Sequence, residues 1–181
     1  MHKKVHTIKP LSRGLPKTGQ VVEIIAGDDG TYEKGWWENR LNANNKTRFI
    51  DKELVSGEEV VIDKATHLMW VKNVNGLGTD NGATKSIANC ITFCEELIFG
   101  GYNDWRLPNL FEMISLFKGG IDDPSAHDVE FDNWVSSWTF WCSTINFADT
   151  DRGHHIWFQH GLTVEVIPRT ASEHFLPVRS L

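Results

Sequence analysis

The alternation of apolar and polar positions is sharpest in the middle of the chain. In "EEVVIDKATHLMWVKN", Val60 and Ile62 alternate with Val61 and Asp63, a turn follows at Lys64 to Thr66, and Leu68 and Trp70 resume the alternation. That pattern predicts a β-hairpin that supplies core strands. The period then changes. In "TKSIANCITFCEELIF", Ile87, Cys90, Ile91, Cys94 and Ile98 recur at helical spacing, with Lys85, Asn89, Thr92 and Glu96 on the other faces, which predicts a helix. Gly100 and Gly101 end it. A second, shorter helix is predicted ahead of Gly119, over Leu110, Met113, Ile114 and Phe117, because Asn109 and Glu112 have the spacing of a capping box. Residues 119–133 read as loop, followed by the Trp-dense tract "NWVSSWTFWCSTINF". Beyond it, "HIWFQ" and "LTVEVI" flank His160 and Gly161, a strand pair around a tight turn. The run "HFLPVRS" suits a last strand, with Pro177 implying an edge position or a bulge.

The N-terminal third is less regular. Residues 1–15 are polar and basic without period and are expected to form a flexible arm, with the folded part starting near Pro16. From there to residue 57 runs an N-terminal segment, with a short apolar run, Val21 to Ile25, and turn chemistry at Gly27 to Gly30. Residues 58–181 form the expected core of one domain spanning 16–181. The acidic turn lacks the ligand spacing and closing Glu of a calcium loop.

Composition narrows the function classes. The chain has 181 residues, enough for one domain, and its eight Trp and ten Phe belong to a folded protein. With a net charge of −6 there is no basic footprint for phosphate backbones or anionic lipid, so nucleic acid is not an expected partner. No run approaches the length of about 18 apolar residues that a membrane span needs, and no apolar stretch follows the basic start. The expectation is synthesis in the cytoplasm without a signal peptide and no membrane insertion. Cys90 and Cys94 fall on the buried stripe of the first helix and Cys142 is distant, so the thiols read as core residues and no zinc site is expected. No cofactor is implied.

Several of these segments together resemble a known family, the C-terminal domain of the Legionella collagen-like adhesin. The shared blocks are "LPKTGQ" followed by "AGDDG", then "DKATHLMW", the helix ending in Cys94, "GGYNDWRLPN" running into Glu112, "WCST" where the family has Trp-Ser-Ser-Thr, and the closing "FLPVRS". "GGYNDWRLPN" is the most specific. The resemblance implies an α+β, C-type-lectin-like fold: two helices packed on small antiparallel sheets, with the N- and C-terminal strands brought together. It also implies a Cys at the place of Pro177, bonded to the helix Cys. Pro177 removes that option, leaves Cys94 unpaired in this scheme and favours a non-oxidising place of assembly. The chain is also similar to variable proteins of diversity-generating retroelements, including viral receptor-binding proteins, whose AAC codons become NNC codons. That excludes Trp, Gln, Glu, Lys and Met. Asp149 to His155 and Arg169 to Ser172 contain only permitted residue types.

The fold analogy puts a ligand face on exposed positions of residues 139–174. The candidate ligand-binding residues are Phe140, Asn146, Asp149, Asp151, Arg152, His154, His155, His160 and Arg169, because rigid aromatics and directed polar groups suit recognition. Each reads equally well as a solvated loop residue. Trp70, Trp105, Trp138, Trp141 and Trp157 could stack on sugars, although Trp70 and Trp105 read better as core. His154, His155 and His160 suit ligand contact better than a metal site. An enzyme related to formylglycine-generating oxidases is the rival class, but it needs a positioned thiol pair, and Ser143 lacks an elbow motif and an oriented acid. The expected partner is a protein or glycan on a target cell surface, bound by a domain displayed on a virion or cell, either diversified or of fixed specificity. A trimer fits such a role.

Overall fold

A computed structural model of the chain describes residues 18, 20, 22–32, 48–118, 130–159 and 161–181. The expected arm at residues 1–15, most of the 119–133 loop and His160 lie outside the described residues. The described part is α+β, with two small antiparallel sheets. The first sheet has the order β1-β2-β3-β7, from β1 (Phe49–Glu53), β2 (Glu59–Asp63), β3 (Leu68–Val71) and β7 (Val178–Ser180). The second has the order β4-β5-β6, from β4 (Thr139–Ile145), β5 (Arg152–Trp157) and β6 (Thr163–Pro168). The C-terminal strand joins the sheet of the first strand but pairs with β3, placing Trp70 opposite Val178.

The hairpin read from the sequence is β2 and β3, with Asp63 opposite Leu68. Behind its turn lies an ion pair that the alternation did not reveal. Arg48 and Asp63, 1% and 0% exposed, bond through Nε to Oδ1 at 2.9 Å and Nη2 to Oδ2 at 2.7 Å. Arg48 also donates to the Ser115 carbonyl at 2.8 Å, while Asp63 accepts from the Ala65 amide and the Thr66 hydroxyl. Nearly every polar atom of the pair is thereby satisfied, as burial of charge requires.

The first predicted helix is α2 (Ile87–Glu96), with Ile87, Cys90 and Cys94 buried. It stops before Ile98: Leu97 turns to an extended ψ of 120°, so Ile98 is 77% exposed and Phe99 takes the buried place. The second is α3 (Leu110–Ile114), shorter than the apolar spacing to Phe117 suggested. Its capping box is present, with Asn109 Oδ1 accepting from the Glu112 amide at 3.0 Å and Glu112 Oε2 from the Asn109 amide at 2.9 Å. Arg106 grips the same carboxylate through two bonds of 2.7 and 2.6 Å. Burial pushes the Glu112 carboxyl up, but Arg106 and the Asn109 amide more than reverse this and hold it below the ordinary value. Both helices pack on β4.

In the N-terminal segment the Val22–Ile25 stretch is no strand, and Ile24 and Ile25 are 75% and 72% exposed. A short α1 (Asp29–Tyr32) follows the acidic turn. The Asp28 carboxylate is engaged there by the amides of Ile24, Ile25 and Thr31 and the Gln20 side chain. Those donors hold its pKa down, the Ile24 amide most strongly.

Candidate recognition surface

The second sheet is built on aromatic side chains. Phe140 and Cys142 of β4 enter the main core, while Trp141, between them, enters a smaller core with Ile87, Cys90, Cys94, Leu107 and Phe175. Trp134 lies against Phe140 and Phe158, with ring centroids 4.9 and 5.7 Å apart. Trp138 stacks on His174 at 3.8 Å and 8°. Strands held from both faces in this way present a fixed end, and the β4–β5 connection projects from it.

That connection runs from Asn146 to Asp151 and is shaped by its own short polar side chains. Asn146 Oδ1 accepts from the Ala148 amide and Asp149 Oδ1 from the Asp151 amide, at 3.0 and 3.1 Å. These side-chain-to-backbone bonds are the turn chemistry of Asn and Asp. The Arg169 amide donates to the Asp151 carbonyl at 2.9 Å, and its guanidinium meets Asp151 Oδ1 at 3.2 Å. The loop and the segment after β6 thus form one rim. At its tip stands Phe147, 99% exposed.

The candidate residues divide by environment. Asp149, Asp151 and Arg169 are exposed and adjacent on the rim, and Asn146 is half-buried at the loop's base. Arg152 is half-buried, its Nη2 donating to the Val166 carbonyl at 2.8 Å, and His154 Nδ1 lies 3.1 Å from the Thr144 carbonyl oxygen. Both flank the rim with side chains already held by backbone oxygens.

Two assignments are corrected. Phe140 is fully buried, because β4 packs both its faces, and it cannot touch a ligand. His155 is 7% exposed on the inner face of β5 against Trp141, its ring nitrogens 3.4 Å from Glu165 and 3.7 Å from Glu173. It braces β5 and β6. Trp141 is likewise sealed, as are Trp70 and Trp105, so none of the three can stack on a sugar, whereas Trp138 and Trp157 are half-buried. Phe147 was not among the candidates, although an aromatic within the polar run "INFADTD" was a signal.

Gly153 bears on variation of the rim. A Cβ there would lie 3.0 Å from Ile87 and 3.2 Å from Trp141, so larger side chains press on the smaller core. The thiols are equally enclosed. Cys90, Cys94 and Cys142 are free and buried, and burial pushes Cys142 up to about 12. Among the described residues no group of three or more His, Cys, Asp or Glu is disposed to hold a metal ion, and no helix is long and apolar enough to cross a membrane.

An exposed rim of mixed aromatic and charged groups on a fixed aromatic framework agrees with a binding domain of the adhesin type, the class that the family match suggests. The family model for the Lcl C-terminal domain matches residues 59–179, from β2 into β7, and the chain belongs to that family. No curated protein matches the chain.

Proposed function

We propose that the protein is a recognition domain with a C-type-lectin-like fold that binds a protein or glycan on a target cell surface through the rim formed by Asn146–Asp151 and Arg169–Ser172. The observation that carries this reading is Phe147. Phe147, on the same rim as Asp149, Asp151 and Arg169, keeps its whole apolar ring in water, with no burial in the fold to offset that cost, and such residues serve as anchors in interfaces. Arg152 and His154 support the rim from its flank. The domain spans residues 16–181, is made in the cytoplasm and is displayed on a virion or cell surface, where a trimer would multiply weak contacts.

Two histories of this surface are open to test, a fixed adhesin specificity and diversification by a retroelement. Exposure favours variable positions at Asp149, Thr150, Asp151, Arg169, Thr170 and Ser172 over the whole run to His155, since Gly153 and His155 face the core and Ala171 packs against it. A near-identical template repeat with adenines at those codons, beside a reverse transcriptase gene, would support diversification; codons for Gly153 and His155 varying equally would contradict the assignment. Binding without chemistry is the proposal for activity, supported by thiols too enclosed for a nucleophile. The test of binding is a cell- and glycan-surface screen of the full chain, with Phe147→Ala and Arg169→Ala compared at matched folding. Undiminished binding by both variants would remove the rim from the account.

A further inference from the structure

A concave site, apart from the rim, lies on the β2–β3 side of the molecule. The turn after β1 and the Leu77–Gly82 segment enclose a cleft of about 330 Å³, within the size range of small-ligand pockets. Glu58, Glu59, Asn73, Leu77, Asn81 and Phe99 are among the residues that line it.

The Leu77–Gly82 wall has an uncommon backbone. Asp80 and Asn81 have φ of 52° and 55°, and Gly82 follows at 72°, three left-handed residues in succession. A left-handed conformation at a residue with a side chain costs about 1–2 kcal/mol, and such strain gathers at ligand sites. The turn is fastened by the Asn81 amide to the Gly76 carbonyl at 2.8 Å and by Lys85 to Asp80 at 2.5 Å. Leu77 is left 77% exposed as an apolar lip.

The electrostatics select the sign of the ligand. The charged residues lining the cleft are Glu58 and Glu59; Lys72, which lies off the lining, divides its charge among Asp51, Glu59 and Asp132 at 3.2, 3.5 and 3.7 Å. Glu58 is half-buried on that lining. The Ser56 hydroxyl, with the amides of Glu58 and Gly100, keeps that carboxyl below its ordinary value, hence ionised at neutral pH. Asn73 Oδ1 already accepts from the Asn75 amide and Asn133, so its Nδ2 remains to donate to a ligand oxygen. We infer that this cleft binds an alkylammonium group, a primary amine on an apolar stem with a neighbouring carbonyl or hydroxyl, seated against Glu58 with its stem on Leu77. A protein lysine side chain and an amino sugar share that chemistry.

The test is a titration of the ¹⁵N-labelled full chain at low ionic strength with Nα-acetyl-lysine-N-methylamide, with its Nε-acetylated counterpart, and with glucosamine. The expected result is saturable shifts of the Gly76, Gly78 and Asn81 amides with one or both amines, the stronger binder identifying the source, and none with the neutral counterpart. Glu58→Gln should weaken binding about tenfold, the loss expected for one charge-assisted bond. Asn81→Gly, which keeps the left-handed turn, should weaken it less, and this variant decides should Glu58→Gln fail to fold. Equal binding of the neutral counterpart, unchanged affinity in the folded variants, or absence of any response in the cleft would overturn the inference. Rim variants such as Phe147→Ala should leave these shifts intact, so the two sites stand or fall separately.

Discussion

Two Arg–Asp pairs at opposite extremes of burial divide the labour of this molecule. Arg48–Asp63 sits beneath the β2–β3 turn at 1% and 0% side-chain exposure, while Arg169–Asp151 sits on the rim at 45% and 91%. The chemistry is the same but its consequences are opposite. In the buried pair each unmet charge would face a medium that cannot solvate it, so the pair locks the first sheet to the α3 end through Ser115. In the exposed pair water screens the attraction, little stability depends on it, and both groups stay free to exchange partners. Under the proposed function, fold and recognition rest on different residues of the same type.

The comparison breaks most visibly at Asp63. Asp63→Ala strands the Arg48 guanidinium and should cost about 3–5 kcal/mol in urea unfolding; a loss below about 1 kcal/mol, the range of an exposed pair, would erase the distinction. Next comes Gly153, which tests how far the rim extends into β5. Gly153→Val should destabilise by about 1–3 kcal/mol through overpacking against Ile87 and Trp141. A neutral result in thermal unfolding would return Gly153 to the set of positions free to vary.

Glu112 is intermediate, partly buried and paired with Arg106. Because its folded pKa lies below the ordinary 4.5, its contribution is present above about that pH and fades as pH falls through the lower folded value. Glu112→Gln should therefore cost about 1 kcal/mol at neutral pH, discounted for the half-exposed Arg106. The difference from the parent should shrink on acidification, as a pH series of urea midpoints would register. The smallest effect belongs to Arg169→Ala, within about 0.5 kcal/mol of the parent in stability. Its effect should appear in binding.

What the sequence revealed follows the same division. The β2–β3 hairpin was legible from the turn between two apolar runs and not from alternation, since Val60 and Val61 are both buried and β3 is buried throughout; the α3 capping box was legible because Asn109 and Glu112 are a local signal. β4 was not legible. Phe140, Trp141 and Cys142 are buried in succession, since the strand separates two cores, and a bulge between Trp141 and Ile145 interrupts the register. Without polar positions on one face there is no period of two to read. β1 is missed for the converse reason: after Phe49, "IDKE" is exposed and reads as loop. At the candidate site the difficulty was the adjacent pair His154 and His155. Successive strand residues face opposite ways, and two histidines in a row carry no mark of which is inside. Asp149, Asp151 and Arg169 were singled out by the fold analogy, which put a ligand face on residues 139–174, and they are exposed, whereas the Arg48–Asp63 pair joins residues distant in sequence, and only the folded chain brings them together.

The central claim is that recognition is carried by the rim and not by the framework. The measurement that tests it most directly is the affinity of the Phe147→Ala, Arg169→Ala double variant for whichever cell or glycan surface captures the parent, taken with its unfolding midpoint. The account predicts that binding falls by about a hundredfold, two lost contacts of about 1.4 kcal/mol each, while the midpoint stays put. Parental affinity at an unchanged midpoint would contradict it.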